Sequence, residues 1–245
     1  MNTTEIRTAL VTGADRGLGY CIVKELLDHG WRVFAGKYLE DYSLLDELAE
    51  SYPELYPVKL DSKSGDDMKK VRDIIAEKVG KLDLLVSNAA GMGGAPTDDI
   101  SSTTMLDTDT LAMFFRTNSY AAPMLVDTLL PLLKKSDYRR LFFTSSEISS
   151  VRLMRRTGGM RYAMTKTALN LGVRMIFNAL RPEGFTFRLY QPGWMKRMGA
   201  DKTLGEGGIV DPAVSAREAV RQILEDRIDE DRLVLVDYMG RELSF

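Results

Sequence analysis

Short apolar runs alternate with longer amphipathic stretches along almost the whole chain. The runs "TALVT" (8-12), "WRVFAG" (31-36), "LYPVKL" (55-60), "LDLLVS" (82-87), "RLFFTS" (140-145), "FTFRLY" (185-190) and "RLVLVD" (232-237) predict strands. Between them, 17-29, 42-51, 64-79, 104-135, 160-181 and 212-227 carry apolar residues at helical spacing. Most of the strand runs are too continuously apolar to keep one face in water, which points to a parallel sheet covered by helices on both sides. Strand and helix in alternation predict an α/β, doubly wound fold of about seven strands. Helix stops are well marked at His29-Gly30 and at Arg181-Gly184, where Pro182 cannot continue a helix and Gly184 can turn the chain. With no Pro/Ser/Gly-rich linker and no repeat, residues 1-245 read as one domain, and the irregular loops at 91-103, 147-159 and 193-211 become the functional suspects.

Composition narrows the setting. A formal charge of -2, from 33 basic and 35 acidic side chains mixed along 245 residues, offers no basic field for nucleic acid or an acidic membrane. The one cysteine, Cys21, cannot close an intramolecular disulfide, which suits a reducing compartment. No apolar run is long enough to span a bilayer and the N-terminus carries no signal core, so the expectation is a soluble, cytoplasmic protein. The only histidine, His29, sits at a helix end and reads as surface, and Asp98-Asp99 is too ordinary a pair to mark a metal site.

Candidate chemistry begins at "TGADRGLG", Thr12 to Gly19, between the first strand and the first helix. Glycines there let the backbone approach a pyrophosphate at the positive end of the helix. The spacing Gly-x3-Gly-x-Gly differs from the standard dinucleotide fingerprint. At the end of the second strand a carboxylate would bind the ribose of NAD; this chain has Lys37 there, no acid until Glu40, and Arg16 in the glycine loop. Two cations at the adenosine end favour NADP(H) over NAD(H), although Asp15 weakens the local field. Two Tyr-x3-Lys pairs occur, "YCIVK" (Tyr20, Lys24) and "YAMTK" (Tyr162, Lys166), so spacing alone does not choose between them. Address does: the helix carrying Tyr162 follows the fifth strand, so its N-terminal end lies near the carboxyl ends of the strands where ligands bind.

Taken in order, "TGADRGLG", "NAAG" (Asn88-Gly91), Asn118, "TSS" (Thr144-Ser146), "YAMTK" and "QPGW" (Gln191-Trp194) resemble the short-chain dehydrogenases/reductases over nearly the whole chain. "TGGMRYAMTKTALN" and the ending "DYMGRELSF" look like the C-factor-like and carbonyl reductase branch. The resemblance implies a Rossmann-type fold and hydride transfer between nicotinamide and a carbonyl or alcohol. It makes Tyr162 the acid/base, Lys166 its cationic partner and ribose ligand, Ser146 or a neighbour the polariser of the carbonyl, and Asn118 the holder of a water relay. A phenol ordinarily ionises near 10, and a cation beside it would bring that value toward the working range. The cofactor positions implied are Thr12, Gly13, Asp15, Arg16, Gly17, Leu18, Gly19, Lys37, Asp61, Ser62, Asn88, Ala89, Ala90, Gly91, Tyr162, Lys166, Pro192, Gly193 and Met195. A homodimer or homotetramer is implied too, whereas neither nucleic acid nor membrane is expected as a partner.

Three departures qualify the pattern. The family usually places its serine 13 residues before the tyrosine, which is Ser149; the strand end gives Ser146, with Ser145 as a third candidate. After "QPGW" no Thr appears until Thr203, leaving the backbone of Met195 for the nicotinamide amide. Arg152, Arg155, Arg156 and Arg161 cluster before the tyrosine, where they would suit either an anionic substrate or a solvated surface. Met92, Met105, Met113, Trp194 and Met198 could wall a pocket or simply fill the core. A dinucleotide-binding sensor with little turnover is the competing functional class, although a pure binder has no need of Asn118 or Tyr162.

Overall fold

The computed structural model describes residues 6-91 and 108-245. The residues 92-107 between them include Met92, Asp98, Asp99, Met105, most of the first suspect loop and the first turn of the expected 104-135 helix, which therefore lie outside the described residues. Eight strands form one sheet: β1 (Thr8–Val11), β2 (Arg32–Lys37), β3 (Leu55–Lys59), β4 (Leu84–Ser87), β5 (Arg140–Thr144), β6 (Thr186–Gln191), β7 (Leu235–Asp237) and β8 (Glu242–Leu243). Their spatial order is β3-β2-β1-β4-β5-β6-β7-β8, parallel until the last pair. Among the described residues, no helix is long and apolar enough to cross a membrane.

About seven strands were expected and eight are found among the described residues. The added strand has two residues, too few to carry an alternating pattern, and it exists because the Asp237 carboxylate gathers the turn before it. That carboxylate accepts from the amides of Met239 and Arg241, each at 2.9 Å, and from the Arg241 guanidinium at 2.6 Å. The strand expected over 232-237 shortens to β7 at its start, where Arg232 N–H donates to the Asp229 carbonyl at 3.0 Å in a turn and the ladder with β6 begins only at Leu235.

Helices cover both faces: α1 (Gly17–Asp28), α2 (Leu44–Ala49), α3 (Gly65–Lys78), α4 (Thr108–Phe115), α5 (Ala121–Leu133), α6 (Met160–Leu180) and α7 (Pro212–Leu224). The expected single helix over 104-135 is divided where described. A π-helical turn at Arg116–Tyr120 separates α4 from α5, and one extra residue in a turn is invisible to an apolar period. Helix starts follow local chemistry. Ser64 caps α3 by accepting from the Asp67 amide at 3.1 Å, and Asp211 caps α7 by accepting from Ala213 at 2.8 Å, with Pro212 as its first residue.

Alternation along each strand divides the core into two apolar layers. Leu10 of β1 packs with Val71 of α3, Leu129 of α5 and Val173 of α6, whereas Ala9 and Val11 pack with Ile22 of α1 and Ala219 of α7. Two buried cations interrupt this pattern, Arg140 on β5 and Arg188 on β6. Both reach carbonyls near the C-terminus of α7, Arg188 donating to Gln222 O and Glu225 O at 2.7 Å each, where the negative end of the helix dipole favours a cation. Chain direction reverses its lateral course between β1 and β4. The loops leaving these two strands diverge at the carboxyl ends of the sheet, the place where folds of this kind hold their ligands.

Candidate active site

The glycine segment after β1 is built as a cradle. Gly13 and Gly17 adopt φ of +61° and +59°, a region that disfavours a side chain. A Cβ at Gly19 would lie 2.1 Å from the Gly13 carbonyl oxygen and 2.7 Å from Asn88 Nδ2, so α1 can begin this close to the loop only with glycine there. At Gly17 a Cβ would meet nothing within 4 Å, which marks the open side. Arg16 occupies the N-cap without a side-chain cap bond and the first turn holds no acid, leaving the amides of α1 available to an anion. Asn88 fixes this loop to the sheet. Its Nδ2 donates to Thr12 O at 3.1 Å and Gly13 O at 3.2 Å, while its Oδ1 accepts from Thr144 Oγ1 at 3.1 Å. Thr12 Oγ1 in turn accepts from the amides of Asn88 and Ala89, both at 3.0 Å. Leu18 is buried beneath the loop. This cradle fits a pyrophosphate.

Beyond it, the end of β2 carries more acid than a linear reading suggests. Lys37 is ion-paired with Asp46 of α2. Arg16 donates to the Tyr42 hydroxyl at 2.8 Å with its guanidinium 5.1 Å from that ring. Asp15 is buried, and its Oδ1 accepts from the amides of Tyr38 at 2.8 Å and Leu39 at 2.9 Å, tying the glycine loop to the chain after β2. A shallow cavity of about 240 Å³ lies here, with Lys37, Tyr38, Asp46 and Lys59 among its walls. At the end of β3, Ser62 is buried and Asp61 lies 3.2 Å from Lys63, whose ammonium sits 4.7 Å from the Tyr38 ring. Sequence reading missed Tyr42 and Asp46, which only folding brings to Arg16 and Lys37.

Asn118, Ser146, Tyr162 and Lys166 belong to three different elements at the carboxyl end of the sheet. Asn118 lies in the π-helical turn, a distortion that recurs at functional sites. Its side chain is buried and clamps the backbone after β4: Gly91 N–H donates to Oδ1, and Nδ2 donates to Gly91 O, each at 2.8 Å. Nδ2 also reaches Thr165 Oγ1 on α6 at 3.2 Å, and Ser119 Oγ donates to Thr165 O at 2.7 Å, so the turn is fastened to the helix bearing the tyrosine. Lys166 is 1% exposed; its ammonium donates to the Thr144 carbonyl at 2.9 Å and stands 5.8 Å from the Tyr162 ring. Burial pulls Lys166 down from its ordinary 10.5 to about 8 and pushes the Tyr162 phenol up to about 12. The acidified phenol expected from the sequence is therefore not what the chain's own groups produce. Desolvation favours the neutral form of each group.

The serine candidates separate by depth. Ser146 is half-buried, accepts from the Ile148 amide at 3.3 Å, and its proton has no acceptor among the described residues. Ser145 and Ser149 are buried and bonded to Asn170. The competing pair is elsewhere: Tyr20 packs in the core beside α7, and Lys24 is an exposed residue bonded to Asp28 at 2.6 Å. His29 ends α1 with Nδ1 2.8 Å from the Glu25 carbonyl oxygen, exposed and remote from the four.

After β6, Gly193 (φ +83°) is pressed between Tyr238 and Val210, where a Cβ would come within 2.8 Å of each, and its amide donates to Gln191 Oε1 at 2.6 Å. Pro192 O accepts from Ser215 Oγ at 2.9 Å. Met195 forms a parallel bridge to Val210, and Met198 pairs with Leu204, so the suspect loop at 193-211 is a folded lobe. Met198 is buried core and Trp194 is 63% exposed. The arginine cluster is divided: Arg152, Arg155 and Arg156 are exposed, with Arg156 paired to Glu147 at 2.7 Å, whereas Arg161 is buried with its guanidinium 5.7 Å from the Phe114 ring.

A glycine cradle at the switch point of a doubly wound sheet, with the Asn-Ser-Tyr-Lys set beside it, places this chain in a family. Residues 7–206 match the short chain dehydrogenase family, and the chain belongs to it as an oxidoreductase. An uncharacterized oxidoreductase of Schizosaccharomyces pombe is 27% identical over 246 residues, covering 99% of this chain and 94% of that protein. The C-signal of Myxococcus xanthus is 29% identical over 170 residues, 68% of this chain and 94% of that one. The NADPH-bound carbonyl reductase from chicken fatty liver shares the fold with a TM-score of 0.83 at 25% identity, over 98% of this chain and 100% of that chain. The narrower resemblance read from the motifs, to the C-factor-like and carbonyl reductase branch, agrees with finding relatives of both kinds.

Proposed function

We propose that this chain is an NADPH-preferring carbonyl reductase, acting as one unit over residues 1-245. What supports the reading is that Asn118 is bonded to Thr165 and Lys166 to the Thr144 carbonyl, which ties together the π-helical turn, the end of β5 just before Ser146 and the helix carrying Tyr162. Asn88 links Thr144 to a cradle that glycine alone can form. The amides at the start of α1 would hold the pyrophosphate, Arg16 and Lys37 would face the adenosine phosphate, and Asn88 keeps the loop in shape. When bound, the reduced nicotinamide supplies the hydride. Ser146 would donate a hydrogen bond through its hydroxyl to the substrate carbonyl oxygen, polarising it while keeping its proton, and Tyr162 would deliver the single proton that the developing alkoxide takes up. A phenol held near 12 is fully protonated at neutral pH, and it is a far stronger acid than the alcohol being formed, so transfer runs downhill in the reductive direction. Alcohol oxidation by the same residues would need the phenolate and should rise with pH. Lys166 and the Asn118 clamp hold α6 against β4 and β5, which sets the tyrosine's approach.

Assembly follows from the same reading. Met164, Leu171 and Met175 lie on one face of α6 and are 45%, 65% and 66% exposed, an apolar stripe suited to the homodimer or homotetramer the resemblance implies. The test of function is Tyr162→Phe, which should leave NADPH affinity unchanged and lower kcat on a carbonyl panel by about three decades or more. Near-normal turnover in that variant removes the mechanism; tight NADPH binding by the parent with no oxidation on any carbonyl would instead make it a dinucleotide-binding sensor.

A further inference from the structure

The end of β5 is tied to α6 by a buried set of bonds that the reaction above does not use. Ser149 Oγ donates to the Ser146 carbonyl at 2.5 Å and accepts from Asn170 Nδ2 at 2.7 Å. Asn170 Oδ1 accepts from Ser145 Oγ at 2.6 Å, and Thr167 Oγ1 donates to the Ser149 carbonyl at 3.0 Å. Ser145, Ser149 and Asn170 are all buried, so these bonds form away from competing water. Asn170 lies four residues beyond Lys166, on the same face of α6. The helix that aims Tyr162 and Lys166 therefore also grips the peptide of Ser146.

We infer that Ser149 and Asn170 are positioning residues, which fix the Ser146 peptide and so the direction of its hydroxyl relative to Tyr162 and Lys166. This rests on the reading of Ser146 as the carbonyl polariser. Ser146 needs such a device because among the described residues its side chain has only the 3.3 Å contact from Ile148 to orient it, at the N-cap of a three-residue 3-10 turn (Glu147–Ser149). Ser149 itself is poorly placed to serve a substrate, since its hydroxyl already donates to Ser146 and accepts from Asn170. Catalytic geometry is demanding enough that an error near 1 Å can cost about a hundredfold in rate.

The experiment is a cycle of Ser146→Ala, Ser149→Ala and the double variant, reading kcat, the carbonyl KM, NADPH affinity by fluorescence and Tm. Ser146→Ala should lower kcat about a hundredfold and Ser149→Ala about tenfold, with KM and NADPH affinity unchanged in both. The double variant should be no slower than Ser146→Ala, because a residue that acts only through the Ser146 hydroxyl has nothing to position once it is gone. A kcat for Ser149→Ala within about twofold of the parent overturns the inference, as does a further tenfold fall in the double variant, which would mean an independent role. Should Ser149→Ala fail to fold, Ser149→Cys takes its place in the same cycle with the same two outcomes. If instead Ser146→Ala is nearly as fast as the parent while Ser149→Ala collapses, the reading of Ser146 falls and Ser149 is the polariser.

Discussion

Replacing Lys166 by Met should make the protein more stable at pH 7 while disabling it. Lys166 is 1% exposed, makes one hydrogen bond, to the Thr144 carbonyl at 2.9 Å, and has its pKa drawn from 10.5 to about 8 by burial. Because the folded-state value is the lower one, the folded chain binds fewer protons than the unfolded chain between pH 8 and 10.5. The cost of burying the ammonium is thus fully present below pH 8 and fades as the pH climbs toward 10.5. A drop of that size amounts to about 3 kcal/mol at pH 7 and about 1 kcal/mol at pH 10. Methionine removes the charge but also the bond to Thr144, worth about 1.5 kcal/mol. Lys166→Met should therefore gain about 1-2 kcal/mol at pH 7 and nothing, or a small loss, at pH 10. Urea unfolding of parent and variant from pH 7 to 10 measures the difference directly, because every other group titrates in both. Two stability curves separated by a constant amount across that range would refute the argument, since the lysine would then carry no burial cost to relieve. The accompanying loss of turnover identifies the strain as functional, a buried cation kept at the expense of the fold.

Gly19→Ala should fold with reduced stability and bind NADPH at least about tenfold more weakly, because the added methyl would stand 2.1 Å from the Gly13 carbonyl and push α1 off the cradle; an unchanged affinity in a fluorescence titration would contradict this. Arg16→Ala should raise the KM for NADPH about tenfold and leave that for NADH alone, whereas Asp46→Asn, by releasing Lys37 from its ion pair, should lower the NADPH value about twofold; equal effects on the two cofactors would remove Arg16 and Lys37 from phosphate recognition. The double variant Leu171→Glu, Met175→Glu should run as a monomer in size-exclusion chromatography with light scattering, and an unaltered mass would place any assembly elsewhere.

What the linear chain determines is what depends on periodicity and on near neighbours. Seven of the eight strands and the order of the helices are legible because a strand buried on both faces must be continuously apolar and a covering helix must repeat near every fourth residue. The glycine loop is legible for a similar reason, since positive φ and close approach leave glycine as the only solution at Gly13 and Gly19. The argument that favours Tyr162 over Tyr20 also uses order alone, because a parallel sheet dictates which helix ends lie at its carboxyl side. Tertiary structure decides everything set by residues distant in sequence. It pairs Lys37 with Asp46 and Arg16 with Tyr42, inserts the π-helical turn that lets Asn118 clamp Gly91, and buries Arg161 away from the arginines it adjoins in sequence. It also buries Tyr162 and Lys166, and the desolvation that only a folded interior imposes raises the pKa of the one and lowers that of the other.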